Sequence, residues 1–578
     1  MMTKAHKIEF TPRINFLMVV IFILAGACIF RLFDLQILKH KNFEALAEGQ
    51  HRLVEDLIPE RGKIYVQDRE TLDLFPLATN EKLYLVYAVP KIIQETSKPE
   101  EVALKLEPIL GISKDELISR LTKPEDLYEP LKHEISDEDK SKIEELKIPG
   151  IEFQPESKRF YPEKNLASHI LGFVGYVDDQ KKGQYGIEGY YNDILAGKAG
   201  SLFGEKSARG MWISIGNMQF TPAQDGDDLV LTIDRVIQHK VEQELSASIQ
   251  KYGATKGSAI VMDPKTGEIL ALANFPNFDP NEYSKVEDVN IFKNSVIYDL
   301  YEPGSVTKPF FMGAALDLGL VGPNTTHPGT NSVEVGKYTI HNSVNWPVGP
   351  ETMTQILERS SNVGIVFVNQ TLGLDRAYSY LEKFGFTNLT GIDLDTEMSD
   401  SIPPKEKWND VDLAVAGFGQ GPINITSMHL VNAFSAIANG GKLLQPHIVK
   451  KIIHPDGTEE TIKTKVVAEV LSPSTAATLT AMLVSTVENG AEKLVVPGYR
   501  VAGKTGTAQM PAKDKAGYDP DKKICSFVGY GPVDDPQFII FIRYYFDKGT
   551  VWGGTTAGPV FIRLALDLFK YYQIPPSR

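Results

Sequence analysis

Cysteine is almost missing: Cys28 and Cys525 are the only two in 578 residues. That excludes a disulfide-stapled scaffold and a zinc site built on cysteine clusters. None of the 11 histidines stands in an H-E-x-x-H pattern, so a zincin site is absent too. Positive charge is in deficit. Sixty Lys+Arg against 74 Asp+Glu leave a formal net charge of −14, the wrong sign for a general nucleic-acid binder, which needs a basic footprint. The chain has no convincing internal repeat and no low-complexity segment. Hydrophobic residues at 42% and charged residues at 23% are ordinary globular usage, with length for roughly four domains at ~150 residues each, or fewer if one is large.

Long apolar runs are scarce, with one exception. Residues 14–30 (INFLMVVIFILAGACIF) carry no charge. As a helix this run spans about 26 Å, the short end of a membrane crossing. Leu32 and Phe33 extend it, with Arg31 snorkelling to the interface. Lys4, Lys7 and Arg13 precede it against Glu9, while basic and acidic residues nearly balance after it. The bias points the N-terminus inward. The expectation is a cytoplasmic tail (1–13), a transmembrane anchor (14–33) and about 545 residues outside. Cys525 would stand there without a partner, so no disulfide is expected. Ala25-Gly26-Ala27 before Cys28 makes a partial lipobox with Ala at position −3. The apolar run continues through Ile29 and Phe30, which favours an uncleaved anchor.

Residues 34–225 read as mixed α+β. Ser113 and Ser136 each open an amphipathic stretch with a capping pattern, and Pro149-Gly150 stops the second. The charges between 95 and 150 read as solvated helix faces. Asp225-Gly226-Asp227-Asp228 punctuates the chain. Beyond it, 229–233 alternates like a strand and 235–251 reads as a long helix. Residues 257–263 and 268–275 read as strand, turn, strand. Helical segments follow, then strands near 525–531 and 537–546, and a closing helix at 564–572. Strands at both ends with helices between fit one α+β domain, 226–578.

S-x-x-K occurs twice, about as often as chance allows. Ser248/Lys251 lies in a polar helix and reads as solvated. Ser305/Lys308 follows the turn signal Glu302-Pro303-Gly304 and precedes an apolar run (310–320), which places Ser305 at the start of a buried helix. Backbone N–H groups gather there and suit a developing oxyanion. A serine hydroxyl becomes a nucleophile when a base takes its proton, and a lysine one turn on serves if its pKa falls. Pro309 deprives the Ser305 carbonyl of its i+4 donor and biases Lys308 away from α. K-T-G also occurs twice. Lys265-Thr266-Gly267 reads as a hairpin turn, whereas Lys504-Thr505-Gly506-Thr507 follows a short extended run and offers a lysine and hydroxyls to a carboxylate. S-x-N occurs at Ser343/Asn345, in a Trp-Pro loop, and at Ser360/Asn362, after a helical stretch. Residues 498–505 also match the Walker A pattern, but Gly506 and Pro511 break the helix that motif requires, so an NTPase is disfavoured.

In order, Ser305-x-x-Lys308, Ser360-x-Asn362 and Lys504-Thr505-Gly506 resemble the three active-site motifs of penicillin-binding proteins and serine β-lactamases. Glu302-Pro303-Gly304-Ser305, Ser361-Asn362-Val363-Gly364, Gly186-Ile187-Glu188-Gly189 and Ala438-Asn439-Gly440-Gly441 resemble the class B penicillin-binding proteins. Ser361-Asn362-Val363-Gly364 and Tyr301-Glu302-Pro303-Gly304 look more like their division-type (septal) members than the elongation-type ones. The family's early R-G-x-I-x-D-R-N-G departs here: Arg61-Gly62-Lys63-Ile64 continues to Asp68-Arg69-Glu70 with longer spacing and no Asn-Gly.

The resemblance implies an α+β transpeptidase domain with a central antiparallel sheet flanked by helices. It also implies an elongated, non-catalytic, dimerisation-like α+β pedestal (34–225) and one membrane anchor. It implies a DD-transpeptidase that needs no cofactor or metal. Ser305 would be the nucleophile, Lys308 its base and Ser360 the proton relay. Asn362 would hold the substrate amide and Lys308; Lys504, Thr505, Gly506 and Thr507 would bind the terminal carboxylate, with the Ser305 and Thr507 N–H groups as oxyanion hole. Implied partners are D-Ala–D-Ala stem peptides, β-lactams, a membrane-embedded glycosyltransferase and other division proteins, at the bacterial cytoplasmic membrane. The rival readings are an elongation-type transpeptidase, a β-lactam sensor or hydrolase, and a non-catalytic division scaffold.

Overall fold

The computed structural model describes residues 12–33, 52–69, 71–123, 127–178, 180–205, 219–399, 402–512, 517–549 and 551–577. Residues 1–11 of the tail expected at 1–13 and Glu70 of the atypical early segment lie outside them. The chain divides into two compact units, 1–59 with 197–224, and 60–196 with 225–578. The smaller holds the helix Pro12–Phe33, 22 residues long, and a three-stranded antiparallel sheet of Arg52–Leu57, Gly200–Glu205 and Gln219–Thr221. Among the described residues no helix is long and apolar enough to cross a membrane.

The larger unit is built on two main sheets. The first has five antiparallel strands in the order Ile269–Phe275, Lys256–Met262, Phe538–Phe546, Tyr518–Gly531, Ala502–Pro511. Both faces are covered. Ile540 and Ile542 pack with helices Arg235–Tyr252 and Ala557–Tyr571, through Ile237, Val241, Leu245, Phe561 and Leu564. Ile539 and Phe541 belong to the opposite cluster, with Phe310, Met312 and Phe434 of the helices Lys308–Asp317 and Ser427–Ala438. The two-residue period of the strand thus supplies both cores.

Ser248 corrects the sequence reading. It is buried, and its hydroxyl meets Tyr544 Oη at 2.5 Å and the Leu245 carbonyl at 2.8 Å. It falls on the i, i+3, i+4 stripe of Val241 and Leu245, so helix position decides its burial and not its polarity. The first K-T-G, Lys265-Thr266-Gly267, is the turn expected, with Gly267 at φ 84°.

The second sheet mixes early and late chain: Glu459–Thr461, Val449–Ile453, Asp228–Leu231, Ile64–Gln67, Leu74–Ala88 and Glu129–Ile135 in order, with Ile151–Phe160 also on Leu74–Ala88. Asp228–Leu231 runs antiparallel to Val449–Ile453 and parallel to Ile64–Gln67. Beside it Glu188, fully buried, binds Arg61 Nε at 2.7 Å and Arg159 Nε at 2.6 Å. Burial pushes its carboxyl up, but the two guanidiniums outweigh that and hold it below the usual range. Gly62 permits this packing, since a Cβ there would sit 1.9 Å from the Asp227 carbonyl oxygen. The atypical segment after Ile64–Gln67 is a tight turn. The Asp68 carboxylate accepts from Thr71 N–H at 2.8 Å, and Leu72 is left-handed at φ 63°.

Candidate active site

Ser305 lies in the 3-10 turn Gly304–Thr307, which runs directly into the helix Lys308–Asp317. The turn resolves the conflict expected at Pro309. Lys308 N–H bonds the Ser305 carbonyl three residues back. Pro309 then falls in the first turn of the α-helix, where its missing N–H has no partner to lose. Lys308 is accordingly right-handed helical (φ −51°, ψ −40°), contrary to the bias expected from the proline. Gly304, at φ 70°, presses on the strand Ala502–Pro511. A Cβ on Gly506 would meet the Pro303 carbonyl oxygen at 3.0 Å, so Gly506 lets the strand approach the turn that carries Ser305.

Lys308 is fully buried. Its Nζ donates to the Ser360 carbonyl at 2.5 Å, Asn362 Oδ1 at 2.8 Å and Ser360 Oγ at 3.2 Å. Ser305 Oγ is not among these acceptors. Burial first, and the charge of Lys504 second, push the Lys308 amine well below its ordinary pKa, with Glu351 opposing. Lys504, also buried, donates to Ser360 Oγ at 3.1 Å, and burial brings it down to about 8 against the pull of Glu492. Ser360 links the helices Met353–Glu358 and Asn362–Leu372 and is left-handed at φ 53°. A non-glycine residue held there stores strain that its surroundings must enforce.

One side chain that the motifs do not mark orders this connection. Asn342 Oδ1 accepts from the backbone N–H of Asn362 at 2.8 Å and of Val363 at 3.0 Å, and Ser361 Oγ donates to it at 3.4 Å. It caps the helix from the hairpin Ser332–Val335/Tyr338–His341 rather than from the helix's own sequence. Asn362 Nδ2 donates to the His341 carbonyl at 3.1 Å, which turns its oxygen toward Lys308. Glu351, buried, accepts from His327 Nε2 at 2.8 Å, while His327 Nδ1 accepts from Gly329 N–H.

Ser305, Ser360, Lys504, Thr505 and Thr507 line one cleft of about 810 Å³ counting its open mouth, with Arg359, Trp346, Glu492 and Trp552 among its other walls. That size suits a peptide-like ligand. Thr507 Oγ1 accepts from Gly553 N–H at 3.0 Å. Ser343 of the rival S-x-N lines the cleft as well, but the hydrogen bonds of Lys308 go to Ser360 and Asn362. The Walker-like 498–505 leads into a strand, not a helix. Among the described residues no cluster of His, Cys, Asp or Glu is arranged to hold a metal.

Comparison with known proteins adds the following. Residues 257–565 match the family described as penicillin binding protein transpeptidase domain. Residues 56–231 match the penicillin-binding protein dimerisation domain. Stage V sporulation protein D of Bacillus subtilis is 32% identical over 98% of this chain and 87% of its own. A peptidoglycan D,D-transpeptidase FtsI homolog of Mesostigma viride is 29% identical, covering 95% of this chain and 94% of that protein. The crystal structure of penicillin binding protein 3 of Mycobacterium tuberculosis, complexed with aztreonam, superposes with a TM-score of 0.69 at 26% identity, over 91% of this chain and 98% of that one.

Proposed function

The chain belongs to the class B penicillin-binding proteins, and on that premise we propose that it is a peptidoglycan DD-transpeptidase with Ser305 as its nucleophile. The observation that carries the assignment is the buried Lys308, hydrogen-bonded to Ser360 and Asn362, with its pKa lowered by burial and by the charge of Lys504. A neutral amine there accepts the Ser305 proton as Oγ attacks the carbonyl of the penultimate D-Ala. The C–N bond breaks and the proton passes through Ser360 Oγ to the departing D-Ala amine. An acceptor amine then attacks the ester and gives its proton to the base. The new amide forms as Ser305 Oγ leaves and is reprotonated. Lys504, Thr505 and Thr507 hold the terminal carboxylate, and the N–H groups of Ser305 and Thr507 take the oxyanion.

β-Lactams enter by the same attack. The intact full-length protein treated with benzylpenicillin should carry one adduct, on Ser305, absent in Ser305→Ala. A labelled peptide containing Ser248 instead would overturn the assignment.

The septal role is part of the proposal. It rests on Tyr301-Glu302-Pro303-Gly304 and Ser361-Asn362-Val363-Gly364. A fluorescent fusion confined to the lateral wall would return the protein to elongation. The anchor at residues 14–33 is proposed on the charge-free run and on the exposed apolar side chains of its helix, such as Phe16, Phe22 and Ile29. It places the remaining chain outside the cytoplasmic membrane, where the N-terminal region would dock a membrane-embedded glycosyltransferase.

A further inference from the structure

We propose that Arg359 and Trp346 form a second anion-binding wall of the cleft, which takes a carboxylate of the donor peptide upstream of its D-Ala–D-Ala end. The inference rests on the transpeptidase reading and assigns the cleft a substrate feature that its three motifs do not.

Arg359 directly precedes Ser360 and lines the same cleft as Ser305. Its side chain is 27% exposed, and its Nη1 stands 3.6 Å from the buried Glu351 Oε1. That is ion-pair range but beyond a hydrogen bond. None of its five guanidinium N–H groups donates to an acceptor among the described residues. Glu351 itself is committed to His327 Nε2 at 2.8 Å. The Arg359 Cζ lies 5.5 Å from the ring centroid of Trp346. The Trp346 indole N–H is buried and also without a protein acceptor.

The backbone of Trp346 is fixed in place, because its main-chain N–H donates to Asn331 Oδ1 at 3.0 Å and its carbonyl accepts from Asn331 Nδ2 at 2.9 Å. The acid on this side of the cleft, Glu358, accepts from Ser485 Oγ at 2.5 Å and so does not compete for the guanidinium.

Half-desolvated donors that bond nothing are costly to keep. A guanidinium held by an ion pair at one edge and an aromatic ring at its side presents its remaining fork to a planar carboxylate. The terminal carboxylate of the substrate belongs to the facing wall, at Lys504 and Thr505, whose lysine reaches Ser360 Oγ. The anion at Arg359 is therefore another one. A stem peptide offers two: the α-carboxylate of a γ-linked D-glutamate and the side-chain carboxylate of a diamino diacid in third position. The shared chemistry is a carboxylate two or three residues before the scissile bond.

The test measures the rate of Ser305 acylation in the full-length protein. It uses stem pentapeptides that carry acid or amide at each of the two positions. Wild type should favour the acid over the amide at one position by about 10- to 100-fold in kcat/KM, the effect of removing one partner of a partly desolvated pair; that position names the carboxylate recognised. In Arg359→Ala the preference should fall to near 1, and Arg359→Lys should keep part of it. Because the readout is a ratio within each protein, a general loss of activity does not mimic it. Equal rates for acid and amide at both positions in wild type, or a preference that survives Arg359→Ala, would overturn the inference alone. No adduct with any peptide or with benzylpenicillin would overturn the transpeptidase reading and this inference with it.

Discussion

Lys308 and Lys504 reach the same hydroxyl: Ser360 Oγ is 3.2 Å from one ammonium nitrogen and 3.1 Å from the other. Two full charges no more than about 6 Å apart repel by at least roughly 3 kcal/mol at an effective dielectric of ~20. The pair is relieved when one lysine is neutral and the other charged. Burial lowers both lysines, and the charge of Lys504 lowers Lys308 further; Lys504, at about 8, remains a cation at neutral pH. The proposed base and the proposed carboxylate receptor are thus one electrostatic unit with Ser360 between them.

Removing the receptor should slow the chemistry. A desolvated, hydrogen-bonded charge is worth roughly 2–4 kcal/mol when its partner is lost. Lys504→Ala should therefore slow acylation of Ser305 by about 30- to 1000-fold. The loss should be much smaller for a β-lactam ester without a free carboxylate. Stopped-flow acylation rates within threefold of wild type for the free acid would return Lys504 to a bystander.

The pH profile should be a bell. Lys308 must be neutral, so kcat/KM rises with pH through its lowered pKa. Lys504 must be charged, so the rate falls as pH passes about 8. Lys504→Arg should carry the basic limb upward, since a guanidinium stays protonated. A basic limb unmoved in Lys504→Arg would assign it to another group.

Asn342 should behave as a positioning residue. Asn342→Ala leaves two helix N–H groups uncapped, which costs about 1–2 kcal/mol of stability. It also frees Asn362 to shift, for which a ~10- to 100-fold loss in acylation rate is expected. Asn342→Asp keeps the accepting oxygen and should restore most of both. Rescue of the unfolding midpoint without rescue of the rate would show that the cap and the catalytic geometry are separate.

Glu188 is a test of the N-terminal region. Glu188→Ala leaves the Arg61 and Arg159 guanidiniums facing each other and should destabilise the protein by ~3–5 kcal/mol. Because its folded pKa is lowered, the carboxylate stabilises the fold above its unfolded value near ~4.3, and that contribution fades as pH falls through the folded value. A urea midpoint equal to wild type at pH 7 would refute this.

The anchor is expected to remain attached. Membrane-extracted protein should keep the residues before Cys28 in its intact mass. A mature chain that begins at Cys28 and bears lipid would show processing at Ala27.

The site was legible where chemistry depends on residue type at fixed spacing. Ser305, Lys308, Ser360, Asn362 and Lys504 stand in motifs, and the structure brings them to one cleft. What escaped is contact between segments. Asn342 and Glu351 act through a hairpin and a two-residue strand, and no local pattern ties them to Asn362 or Lys308. The left-handed backbone of Ser360 carries no signal either, since glycine or asparagine would announce it and serine does not. Pro309 misled because its bias applies to an α-turn, whereas the chain makes a 3-10 turn there. Ser248 misled because its polarity outweighed its place in the helical period. In the fold, the helix Arg235–Tyr252 and the paired strands Lys256–Met262 and Ile269–Phe275 were readable from local pattern. The sheet that joins Ile64–Gln67 to Asp228–Leu231 was not, because parallel pairing across such a separation leaves no local mark.

That shared sheet sets an order of events during synthesis. Gln67 and Lys450, whose side chains meet at 3.4 Å, are 383 residues apart. At about 5–20 residues per second the ribosome needs roughly 20–80 s to make that length. Once Asp228–Leu231 is made, roughly 10–45 s of that interval remain, in which it has Ile64–Gln67 on one side and a bare edge on the other, an edge able to recruit foreign strands. A fragment that starts at 226 inverts the hazard: it supplies Val449–Ile453 but leaves open the edge that Ile64–Gln67 covers. The early segment therefore acts as a guard for the C-terminal half, and expression of the two halves apart should favour aggregates over soluble protein.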